Sequence, residues 1–205
     1  MISLFREKRI DDLFGIILNH LERHISQIHE IQILNGDSME MAKEVAKRFS
    51  IKTLEIDFEN REVDVTMVNI PWNAFPAGTD VRKGQLYPCA KVLYTFKITG
   101  DPELLSAKPK KASLISQIDA DFSNNSLTIG YQTLYANQQL SEEVQREVKQ
   151  NMKSMIESMK NLMSIINKEV QEFNDQLEGT AHEFIESKRT LIKKKNDQKQ
   201  ALNNF

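Results

Sequence analysis

Residues 141–191 read SEEVQREVKQNMKSMIESMKNLMSIINKEVQEFNDQLEGTAHEFIESKRTL, with no proline and a single glycine, Gly179. Ser141 followed by Glu142 and Glu143 supplies a helix start, because a hydroxyl and two carboxylates suit the unpaired N–H groups and positive dipole end there. The apolar positions Val144, Val148, Met152, Met155, Met159, Leu162, Ile166, Val170, Phe173, Leu177, Ala181, Phe184 and Leu191 recur mostly in steps of three and four. That is a heptad-like seam, and its occasional four-plus-four steps keep it from being a strict coiled coil. An unbroken helix of about 60 residues reaches about 90 Å. A small sheet domain is expected to be too short to cover such a seam. The sequence therefore predicts a coiled-coil-like arm over 139–205 that pairs with a second copy, folds back, or meets a further domain, with Gly179 as a kink or a tight turn. Met152, Met155, Met159, Leu162 and Ile166 are the expected interaction residues of a homo-oligomer.

Residues 1–138 read as an α+β domain. Ile10, Leu13, Phe14, Ile17, Leu21, Ile25 and Ile28 put an apolar stripe on a helix over residues 3–33. Gly36 stops it, and Asp37 with Glu40 has the capping spacing for a short second helix carrying Met41, Val45 and Phe49. From Thr53 the period becomes two. Leu54, Ile56 and Phe58, then Val63, Val65 and Met67, predict a hairpin turning at Glu59-Asn60-Arg61. Val92, Tyr94, Phe96 and Ile98 predict a further strand. Leu114, Ser116, Ile118, Ala120 and Phe122, then Leu127, Ile129 and Tyr131, predict a second hairpin through Ser123-Asn124-Asn125. The sum is a mostly antiparallel five-stranded sheet, with the N-terminal helices as its cover.

The segment 71–88 holds Pro71, Pro76, Gly78, Gly84 and Pro88, yet also Trp72, Phe75 and Tyr87. A loop with three aromatics either plugs the end of the core or is a recognition loop.

Chemistry-bearing patterns are incomplete. His20 and His24 stand four apart, but Leu21 occupies the position where a zinc-protease helix needs glutamate, and His29-Glu30 meets Ile33 where the second histidine belongs. Asp119 and Asp121 fall on one strand face, as on a solvated sheet surface, while the Glu147-x-Lys149 pair lies on the long helix rather than on an adjacent strand. Cys89 has no neighbouring base and no second cysteine to pair with. The seven glycines form neither a phosphate loop nor a dinucleotide fingerprint. No catalytic residue, metal site or cofactor is expected.

With 27 Lys plus Arg against 29 Asp plus Glu, the formal charge of -2 gives no global basic field. Locally, Lys188, Arg189, Lys193, Lys194, Lys195 and Lys199 face only Glu186 and Asp197. Either this is a solvated helix end, or Lys188, Arg189, Lys193, Lys194 and Lys195 contact nucleic acid. Charged residues interrupt the first thirty positions and no apolar run is long enough to span a bilayer, so a cytoplasmic protein without membrane insertion is expected.

Residues 96–105, FKITGDPELL, followed by Pro109 and Ser113, together with 56–61 (IDFENR) and 185–191 (IESKRTL), resemble the N-terminal accessory region of multidomain bacterial defence-type proteins, where that region precedes a TIR-like effector domain. The resemblance implies a sensing or oligomerising part of a larger antiviral protein or a partner to a separate effector, and carries no catalytic residue onto this chain. A non-catalytic interaction module is the leading expectation. A nucleic-acid-binding protein and a metal-dependent nuclease centred on Asp119 and Asp121 are the alternatives.

Overall fold

A computed structural model describes residues 2–111 and 117–203. It has the expected α+β architecture. Strand β1 (Ile2–Ser3) and strand β2 (Lys8–Arg9) precede helices α1 (Ile10–Gln27), α2 (Glu30–Asn35) and α3 (Ser38–Phe49). Strands β3 (Glu55–Pro71), β4 (Leu86–Thr99), β5 (Ala107–Lys108), β6 (Asp119–Ser123) and β7 (Ser126–Gln132) follow, and helix α4 (Glu142–Asn203) closes the order. The five-stranded sheet runs β1-β6-β7-β4-β3, every neighbouring pair antiparallel, while β2 and β5 form a separate parallel pair.

The first predicted helix is divided. Residues 2–9 are extended or irregular, α1 ends where Ile28 turns extended, and the His29 ring Nδ1 accepts the N–H of Ile31 to start α2. Asp37 caps α3 as its spacing implies, accepting the N–H groups of Met39 and Glu40 at 2.8 and 3.2 Å.

The hairpin expected between residues 54 and 67 is instead one strand. Asp57 pairs with Lys97 and Glu62 with Thr95, so residues 58–61 bulge opposite Phe96 and the chain keeps its direction. Reversal in a two-residue loop needs left-handed backbone, which residues 59–61 lack. Asn124 and Asn125 have it, at φ 49° and 58°, and there β6 does turn into β7. β3 pairs instead with β4, across the loop 72–85. Leu114 and Ser116, expected to open the strand before that turn, lie outside the described residues. After β4, Gly100 sits at φ +93°, where an added Cβ would fall 1.9 Å from the Thr53 carbonyl oxygen, so only glycine fits.

The sheet's apolar face, with Ala120, Leu127, Ile129, Val92, Tyr94, Phe96 and Ile98 buried, is met by the first half of α4. The N-terminal helices pack on the second half of α4, which corrects the expectation that they cover the sheet. Phe14 of α1 stacks on Phe173 of α4 at 4.2 Å. One apolar cluster runs from Leu4 to Ile192, crossing the boundary expected between 138 and 139.

Candidate functional site

The long helix is continuous through Gly179. Most of its seam is covered within the chain: Met152, Met159, Leu162 and Ile166 are buried and Met155 packs half-buried against the same cluster, while Leu191 at the far end of the seam is exposed. The domain is therefore large enough to cover the greater part of the seam, contrary to expectation. The domain does not stack on one end of the helix but lies along it, sheet first and three helices after.

Polar side chains of α4 hold that arrangement by bonding main-chain groups of other elements. Asn174 accepts the Ile51 N–H and donates to the Ile51 carbonyl, both at 2.9 Å. Asn167 does the same for Leu54 at 2.9 and 2.8 Å. Seven helical residues rise about 10.5 Å and three extended residues span about 10 Å, so the two amides fit the antiparallel extended chain without strain. Both Glu169 carboxylate oxygens accept the Lys110 N–H at 3.1 Å.

The basic end is used the same way. The Lys188 ammonium donates to the carbonyls of Ile25, Ser26 and Ile28 at the C-terminal end of α1, where the Ile25 carbonyl also accepts the Ile28 N–H. Arg189 donates to Ile33 and Gly36 at the end of α2 and pairs with Glu186 at 2.6 Å. Lys195 pairs with Glu30 at 3.1 Å and holds that carboxyl below its usual range. Lys188 and Arg189 are thus helix caps rather than free nucleic-acid contacts. Lys193 and Lys194 remain exposed.

Trp72, Phe75 and Tyr87 do not plug the core. They are half-buried at the tip of the β3–β4 hairpin and belong to no part of the apolar cluster of described residues. Phe75 and Tyr87 meet edge-on at 5.4 Å, and the Tyr87 hydroxyl accepts the Arg82 N–H at 2.6 Å while donating to Gln85. The register places Val63, Met67 and Leu86 on the apolar side of the hairpin, the same side as Tyr94 and Val92, yet all three are exposed. The apolar face therefore continues past its helical cover. The free edge of β3 is blunted, since Asp64 accepts the Val65 N–H, Gln138 donates to the Val65 carbonyl, and Pro71 has no N–H.

Asp119 and Asp121 occupy the outer sheet face, opposite Ile118, Ala120 and the half-buried Phe122. Lys91 of β4, its chain lying over Gly130, lines the same shallow depression of about 210 Å³, a strand-borne lysine the linear sequence does not reveal. Among the described residues no three His, Cys, Asp or Glu side chains gather as a metal site. His24 lies against Phe49 at 5.6 Å, and Glu147 accepts the Tyr131 hydroxyl at 3.0 Å. Cys89 is buried, which pushes its thiol up and keeps it protonated. No helix among the described residues is long and apolar enough to cross a membrane.

Comparison with protein-family models, curated proteins and solved structures found no match.

Proposed function

We propose that the chain is a non-catalytic interaction module that docks a partner protein through the tip of its β3–β4 hairpin, with Trp72, Phe75 and Tyr87 as anchors. Two observations carry this reading: the apolar hairpin face outruns α4 at Val63, Met67 and Leu86, and three aromatics stand outside the core at the end of the same hairpin. Aromatic side chains that served stability alone would contribute most inside the core, whereas large, rigid rings at a tip are the residue types that dominate protein interfaces. The polar anchors of α4 support it further, because they fix the body from which the hairpin projects. Any self-association belongs at this hairpin rather than along the seam. The resemblance to a defence-protein accessory region points the same way.

The test is a photo-reactive residue placed at position 72 or 75 in cells expressing the protein, with exposed Lys168 on α4 as the control position. A discrete adduct from the tip and none from position 168 is expected. An adduct of twice the chain mass identifies the partner as a second copy. A folded protein whose tip positions give no adduct above the control overturns the reading.

A further inference from the structure

A cleft of about 380 Å³ opens between the β3 bulge and the first half of α4, lined by Phe58, Arg61, Tyr94, Lys149, Lys153 and Lys160 among others. It carries four cations against two acids, Glu59 and Glu157. The cations stand on both walls, Arg61 on the sheet side and the three lysines on the helix. Lys160 is only loosely engaged, 4.0 Å from Glu59 and over the Phe58 ring at 5.5 Å. Lys149 and Lys153, one helical turn apart, have no ion-pair or hydrogen-bond partner among the described residues. Like charges set this close repel one another unless an anion joins them.

A second cavity of about 310 Å³ shares Tyr94 and Lys149 with the first and has a different character. Val63, Val65, Val92, Leu140 and Val148 line it, with Gln138 and Gln145 at its margin. Val63 is 53 % exposed although it stands on the sheet's apolar side, so this end lacks a covering group. Tyr94 lies at the junction, and its hydroxyl donates to no described residue. Burial raises the Tyr94 pKa, which keeps the hydroxyl a neutral donor.

We infer that these two adjoining cavities together bind a linear anionic amphiphile, its phosphate or carboxylate head between Arg61, Lys149 and Lys153 and its alkyl chain passing Tyr94 and Lys149 to lie along Val63, Val65 and Leu140. Aliphatic lining selects a hydrocarbon chain rather than a base, because the aromatic faces needed for stacking, Phe58 and Tyr94, are themselves buried. The site lies apart from the hairpin tip, sharing only Val63 with the exposed apolar face of that hairpin, and does not depend on tip docking.

Calorimetric titration with dodecyl phosphate below its micelle concentration, monitored in parallel by far-ultraviolet circular dichroism, tests it. Saturable binding of one molecule per chain is expected, with dodecanol and inorganic phosphate each at least about tenfold weaker because each lacks half of the recognised chemistry. Laurate in place of dodecyl phosphate reports which head is preferred, and both sources of the anionic head fit the site. The double change Lys149→Glu, Lys153→Glu should weaken binding at least about tenfold, and Lys149→Arg, Lys153→Arg should retain it. Val63→Glu, at an exposed position, should weaken the alkyl ligand selectively. The inference is overturned if dodecyl phosphate gives no saturable heat, if it acts only by unfolding the protein, if dodecanol binds equally well, or if ADP binds more tightly. Should the charge-reversed protein fail to fold, the wild-type comparison of dodecyl phosphate with dodecanol still decides.

Discussion

Asn167 and Asn174 do with side-chain amides what an adjacent strand does with its backbone, each giving one donor and one acceptor to an extended residue. Leu54 is fully buried, so its N–H and carbonyl have no water to fall back on. Asn167→Ala should therefore lower unfolding free energy by about 1–3 kcal/mol in urea denaturation, more than an exposed helix position loses. Asp57 governs the bulge by a different route. The Asn60 N–H and side-chain amide, with the Glu59 N–H, hold its carboxyl below the ordinary value of 3.8. The folded state then binds protons less readily than the unfolded one. The contribution of Asp57 is fully present above pH 3.8 and is lost as the pH falls through its lower folded value. A carboxyl-carbon NMR titration should place the Asp57 inflection below 3.8, and an inflection at or above it would show that the bulge bonds do not persist in solution.

Among the elements, α4 departs furthest from what its composition invites. Its seam is heptad-like without being a strict coiled coil, and it is met by the chain's own extended segment at Asn167 and Asn174 and by α1 at Phe173. Gly179 is not a turn between two helices, since α4 runs through it. It is exposed, and an added Cβ would meet nothing within 4 Å. Gly179→Ala should raise stability by about 0.5–1 kcal/mol, since it removes only the backbone freedom glycine has in the unfolded chain. A lowered melting temperature would mean that the helix needs to bend there. β3 is the converse case, in which a stretch resembling a two-strand hairpin is one strand because no residue at the bulge adopts the left-handed backbone a tight reversal requires.

For the whole molecule, covering the seam internally changes what its disruption does. Met159 is fully buried and Leu162 nearly so, and both belong to the single cluster that joins sheet and helices. Met159→Glu with Leu162→Glu places unpaired charges in that cluster, at a cost of several kcal/mol. Loss of cooperative folding is expected by circular dichroism, not a folded monomer released from an oligomer. Retained helix content with a halved solution mass would restore the seam as an intermolecular surface.

Local periodicity and local turn chemistry account for the helical nature of α4, the Asp37 cap, the Asn124–Asn125 turn, and the opposed faces of Asp119, Asp121 and their apolar neighbours. Such signals report the polarity of a face. They do not report what the face meets. Residues 123 and 113 positions apart join when Asn174 bonds Ile51 and Asn167 bonds Leu54, and only the tertiary structure brings them together. It alone decided that Lys188 and Arg189 cap α1 and α2, that Trp72, Phe75 and Tyr87 stand outside the core, and that Arg61 faces Lys149 and Lys153 across one cleft. A lysine at a helix end or an aromatic in a loop has the same local pattern whether it faces water, a ligand or its own chain, and the difference lies in contacts that spacing along the chain does not encode.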